Sequence, residues 1–142
     1  MFKNKLVSIM LIILMVLALV GAVAAIVVLK LTNNNQVKEP SAKEVVEATV
    51  QIDEITTNLS NDQFIRIAFS IQTDSKKAKE ELEMRDFQVR DIIVKDLSDM
   101  KAEQFKGRQG LSELEERLKV KINKLMQEGK VVKVYTTSKM LQ

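Results

Sequence analysis

The chain contains no cysteine and no histidine. Without cysteine there is no disulfide framework, no thiolate nucleophile and no thiolate ligand. Without histidine it lacks the side chain most used for acid–base work near neutral pH, and the commonest metal ligand. Serine and threonine are then the only hydroxyl nucleophiles of the ordinary kind, and nothing in the pattern presents a base to activate them. No glycine-rich phosphate-cradling motif occurs. The aromatics Phe64, Phe69, Phe87, Phe105 and Tyr135 are scattered, not arrayed as a stacking platform for bases. Asp96 and Asp99 lie one helical turn apart, as do Glu80 and Glu83. Paired carboxylates serve hard cations or glycosidic chemistry, but in stretches this charged they read as solvated helix faces. The sequence therefore predicts no enzyme, with no catalytic, metal-binding or cofactor-binding residues and no small-molecule substrate.

The net charge is +3 over 142 residues. Three of the 22 basic residues, Lys3, Lys5 and Lys30, flank one apolar run; the other 19 equal the 19 acids. The remainder of the chain is neutral, so no basic footprint for nucleic acid is present.

That apolar run, Leu6 to Leu29, has 24 residues without a charge. As a helix it would span about 36 Å, enough to cross a hydrocarbon core of about 30 Å. A cleaved signal peptide is the rival reading, with Ala22-Val23-Ala24 as a small-residue cleavage site. The run continues through Ile26-Val27-Val28-Leu29 past that site, which favours an uncleaved single transmembrane anchor. Lys3 and Lys5 precede it and Lys30 alone follows closely, predicting a cytoplasmic amino terminus and an exported carboxy-terminal domain. Ala18, Gly21, Ala22 and Ala25 form a small-residue face that would let another helix approach closely in lipid.

The expected organisation is thus 1–5 cytoplasmic, 6–29 anchor, 30–44 polar tether, and 45–142 extracytoplasmic domain. The tether holds Asn33-Asn34-Asn35-Gln36 and the single proline, Pro40, with no apolar period. Val46, Ala48, Val50 and Ile52 share one parity, as in a half-buried strand. Ile65, Ile67, Phe69 and Ile71 alternate with Arg66, Ala68, Ser70 and Gln72, a second strand, and Asn58 to Asp62 supplies turn chemistry between the two. Lys76 to about Phe105 lacks Gly and Pro and carries Leu82, Val89, Ile93, Leu97 and Met100 on one helical stripe. After Gly107 and Gly110, Ser112 with Glu115 fits a capping box for a second helix bearing Leu111, Leu114, Leu118, Ile122 and Leu125, and Gly129 suits its carboxy-terminal cap. Val132 and Val134 alternate with Lys133 and Tyr135 in a last strand. The order β-β-α-α-β predicts an α+β domain, one sheet covered by helices.

Several of these segments stand in a joint order and spacing that carries further meaning. They are Thr56-Thr57-Asn58-Leu59, the strand Phe64-Ile65-Arg66-Ile67-Ala68-Phe69, and Arg85-Asp86-Phe87-Gln88-Val89-Arg90-Asp91-Ile92-Ile93 with Leu97-Ser98. Gly110-Leu111, Leu114, Leu118, Ile122-Asn123, Val132-Lys133-Val134-Tyr135-Thr136 and Gln142 complete the set. With the basic-flanked anchor and short tether they resemble the FliL family of flagellar basal-body-associated proteins, across most of the chain. Tyr135 and Lys139-Met140 depart from it, standing where members tend to carry Phe and more apolar residues. The resemblance implies a stomatin-like (SPFH-like) extracytoplasmic domain on a cell-membrane anchor at the flagellum basal body. It implies association with the flagellar stator complex, a homo-oligomeric ring, and support of torque, swimming or swarming by stabilising stators. The alternative is a self-assembling stomatin-like membrane scaffold with no motor-specific role. Partner contact is expected at Val45, Val46, Ile52 and Ile55 and at the anchor face Ala18, Gly21, Ala22 and Ala25.

Overall fold

A computed structural model describes residues 4–34 and 38–142; Lys3 and the middle of the tether, 35–37, lie outside the described residues. The chain divides into two compact units, 1–39 and 40–142. Among the described residues the first holds one helix, α1 (Lys5–Asn34), whose 28-residue stretch Lys5–Thr32 is long and apolar enough to cross a membrane and has no buried residue. It runs five residues beyond the apolar segment, taking the first part of the expected tether into the helix.

The second unit is α+β. Helix α2 (Ala42–Glu47) leads into β1 (Thr49–Asn58) and β2 (Phe64–Thr73), followed by α3 (Lys76–Met84), α4 (Asp86–Ser98), a short 3-10 turn (Ala102–Phe105), α5 (Arg108–Asn123) and β3 (Val131–Leu141). The strands form one antiparallel sheet in the order β1-β2-β3. β2 sits in the centre because its alternation is uninterrupted: Ile65, Ile67, Phe69 and Ile71 are all buried against the helices. The opposite sheet face is polar, with Gln51, Thr56, Arg66, Ser70, Gln72, Lys133 and Tyr135 on it, and the Lys133 ammonium lies 4.8 Å from the Tyr135 ring centre. From the helices, Leu82, Val89, Ile93, Leu97, Leu114, Leu118 and Ile122 close the same core. Each such side chain contributes about 2 kcal/mol relative to exposure.

The structure corrects the expected order at four places. Val45 and Val46 lie on α2, not on a strand. Ser41 Oγ accepts the Glu44 N–H (3.3 Å) and Glu44 Oε2 accepts the Ser41 N–H (2.8 Å), a capping box that starts a helix just before β1. Second, the long helix breaks at Arg85 (φ −93°, ψ 14°). The stripe of Leu82 and Val89 calls for an apolar residue one turn on from Leu82, and the sequence supplies Arg85 and Asp86. Arg85 instead reaches back to Glu81 (2.9 Å) and forward to Gln88 (3.0 Å). Third, α5 begins at Arg108, four residues before Ser112, and ends at Asn123, well short of Gly129. Gly107, at φ 87°, makes the turn into it. Gly129 serves the approach to β3: a Cβ there would stand 2.5 Å from Asp74 Oδ1. Fourth, β3 buries Val131 and Val134 while Val132 is exposed. Its pairing with β2 slips between Gln72 and Thr73, leaving Val132 as the extra residue of a bulge.

β1 slips too, between Ile52 and Ile55, with Asp53 and Glu54 in the bulge; β3 slips again beside Ala68 and Phe69. Both outer strands are therefore irregular at the level of Ala68.

Candidate partner-binding surfaces

The residues expected to meet a partner fall into three groups. Ala18, Gly21, Ala22 and Ala25 all lie on α1 and are exposed. At 100° per residue they occupy an arc of about 100°, and a Cβ added to Gly21 would meet nothing within 4 Å. Val46 is 70% exposed on α2, with Val45 half-buried behind it. Ile52 and Ile55 differ: they are 2% and 8% exposed, opposite Phe69 and Ile67 of β2. Their side chains belong to the core because the bulge at Asp53–Glu54 returns Ile55 to the inner face. Both are corrected from partner contacts to core residues.

Val46 borders a groove of about 490 Å³, with Thr49, Val50 and Gln51 beside it and Lys79, Glu83 and Asp86 on the far wall. Around the α3–α4 break, Met84 and Phe87 are 74% and 72% exposed. Phe87 is one of the scattered aromatics, and its position on the polar side of the α4 stripe is the signal that marks it as outward.

The carboxylates sort in an order the sequence did not predict. Of Asp96 and Asp99, only Asp99 is solvated. Asp96 is buried, and its two oxygens meet Arg117 (3.4 Å) and Lys121, tying α4 to α5. Glu80 and Glu83 are exposed, while Glu81 between them is buried. Its carboxylate accepts the backbone N–H groups of Gln127 (2.9 and 3.0 Å) and Glu128 (2.6 Å), and pairs with Arg85. The Glu128 N–H first, and then Arg85 and the Gln127 N–H, hold its carboxyl below the ordinary value of 4.5, against the opposing effect of lost hydration. Ser98, beside Asp96, spends its hydroxyl on the Val94 carbonyl (2.7 Å). Among the described residues, no three His, Cys, Asp or Glu side chains are grouped to hold a metal ion, and no buried side-chain nitrogen or oxygen lacks a partner.

The Glu81 geometry gives a pH expectation. A carboxyl whose pKa is lower folded than unfolded stabilises the fold above the unfolded value and loses that contribution as pH falls through the folded one. Acidification below about 4.5 should therefore loosen the 125–130 turn before the sheet. The protection of the Gln127 and Glu128 amides from hydrogen exchange, corrected for the intrinsic rate and followed from pH 6 downward, should fall earlier than that of Ile67. In Glu81→Gln that early phase should disappear, the turn exchanging fast at every pH.

Residues 49–142 match the family described as flagellar basal body-associated protein FliL. The chain is also 47% identical over 122 residues to a flagellar protein FliL of Bacillus subtilis (strain 168), a match covering 86% of each chain. Identity at that level over most of both proteins, with the family match spanning the whole sheet, shows that the chain belongs to the FliL family of flagellar basal body-associated proteins.

Proposed function

We propose that the chain is a non-enzymatic accessory of the flagellar motor that associates with the stator units and stabilises them, supporting torque, swimming or swarming. Family membership over most of the chain is the observation that carries this reading, together with an apolar helix long enough to cross a membrane. In it, α1 anchors the chain in the cell membrane with residues 1–5 cytoplasmic, and residues 45–142 form an extracytoplasmic domain of stomatin-like type that assembles as a ring of copies. The small-residue face of Ala18, Gly21, Ala22 and Ala25 packs against membrane helices, and Val45 with Val46 meets the partner outside. Tethering to the membrane raises effective concentration, so weak lateral contacts suffice.

Photo-crosslinking amino acids placed at Ala22 and Val46 in motile cells, with mass spectrometry of the adducts, test this. Stator adducts from both positions are expected. Self-adducts alone, with motility unchanged by Ala22→Leu and Val46→Glu, would overturn the motor assignment in favour of an autonomous membrane scaffold.

A further inference from the structure

The sheet has two outer edges, and α5 treats only one of them. Along β3, Asn123 accepts the Val131 N–H through Oδ1 (2.7 Å) and donates Nδ2 to the Val131 carbonyl (3.0 Å), as a neighbouring strand would. Further along, Glu115 Oε1 accepts both the Thr136 N–H and its hydroxyl, each at 2.9 Å. These side chains occupy backbone groups that point away from β2. Along β1, among the described residues, no side chain bonds a backbone N–H or carbonyl from Thr49 to Asn58. An open strand edge offers a ladder of donors and acceptors, and the ligand it fits is another extended backbone. The groove of about 490 Å³ is lined by Thr49, Val50 and Gln51 of this same strand.

Charge decides what kind of strand. β1 carries Asp53 and Glu54 and no basic residue. Glu54 pairs with Arg66 (3.8 Å), Glu83 with Lys79 (3.9 Å) and Asp86 with Arg90 (2.8 Å). Asp53, among the described residues, has no such partner. Two β1 edges from two copies, paired antiparallel, would bring these acidic bulges against each other, and like charges directly opposite oppose pairing. Pairing β1 of one copy with β3 of another meets an edge already occupied at Val131 and Thr136. We propose that the outer edge of β1, from Thr49 to Asp53, docks an extended basic segment of another protein as a fourth strand. This rests on the accessory reading only in supposing that a protein partner exists.

The test uses the full chain in detergent micelles with two probes, a ten-residue peptide alternating Lys and Val and its Glu–Val counterpart, each at millimolar concentration. Hydrogen exchange should slow across Thr49 to Ile52 with the Lys–Val peptide and not with the Glu–Val one. The segment from Val131 to Leu141 should be unchanged. Asp53→Lys should reverse the preference, with an effect on affinity of up to about fivefold per charge, the scale of one exposed ion pair. No protection, protection on β3, or an unaltered preference in Asp53→Lys would each overturn the proposal. A photo-crosslinker at Gln51 in cells separates the two readings. Flagellar adducts support both, whereas peptide docking with adducts only to non-flagellar proteins keeps the strand site and removes the motor assignment.

Discussion

Phe69→Ala should cost about 3–5 kcal/mol, the largest loss expected from any single truncation in the sheet. The ring is 1% exposed at the centre of β2, opposite Ile52 on one side and Thr136 on the other. Both neighbouring strands bulge at that level, so neither has a regular ladder with which to close over the space. A domain of this size has total stability of about 5–15 kcal/mol. The substitution therefore removes about a fifth of it or more. In urea the unfolding midpoint of the full chain in detergent should fall by about 2 M, with little change of slope. Phe87→Ala is the matched comparison: the same chemical change at a ring 72% exposed should stay within about 0.5 kcal/mol of the parent. Equal midpoints for the two variants would contradict the position of β2 at the centre of the core.

Gly110→Ala adds one carbon and should be nearly as damaging. Its Cβ would fall 1.5 Å from the carbonyl oxygen of Gln104 and 2.7 Å from the carbonyl carbon. These are backbone atoms, so no side chain can swing aside. Either the first turn of α5 or the 3-10 turn must move, and that turn carries the buried Ala102 and Phe105. Its last carbonyl, on Phe105, also accepts Lys139 Nζ at 2.6 Å, so displacement reaches β3. We expect a loss of about 3 kcal/mol, the upper range of overpacking, and a fall in Tm of at least about 12 °C. Gly107→Ala separates close approach from backbone conformation. Gly107 has φ 87° and ψ −178° but nothing within 4 Å of an added carbon, so only the strain of a backbone region essentially reserved for glycine, about 1–3 kcal/mol, applies. If Gly107→Ala proves the more damaging of the two in a thermal melt, the contact between α5 and Gln104 is not as described.

What could be read from the residues alone follows from how local each signal is. β2 was legible because every second side chain along it is buried, a period the sequence writes directly. β1 was legible only in part, since a bulge shifts parity halfway and a period-two count cannot contain one extra residue. The capping box of α2 was written as Ser41-x-x-Glu44 just after Pro40. The alternation of Val46 with Ala48 and Val50 hid it, because a six-residue helix followed at once by a strand mimics a longer strand. The break at Arg85 has neither Gly nor Pro to announce it; it arises from a charged residue falling where the stripe needs an apolar one. Glu81 and Asp96 were not legible at all. Glutamate between two glutamates looks solvated until the turn at 127–128, 46 residues away, arrives to bond it. For the surfaces, the small-residue face of α1 is fully written in the sequence, whereas the contrast between the two sheet edges depends on where Asn123 and Glu115 end up in three dimensions.

The sealing of β3 bears on how such domains behave when crowded. In the language of polymer growth, a sheet with two reactive edges is a difunctional monomer and adds copies without limit, the route to fibrous aggregates. By occupying backbone groups of Val131 and Thr136, Asn123 and Glu115 lower each copy toward a functionality of one. A less reactive second edge slows such growth between copies. Copies at high local density are then less prone to pair strand to strand. Removing both caps, by changing Asn123 and Glu115 together, would restore the second functionality and with it the tendency to polymerise.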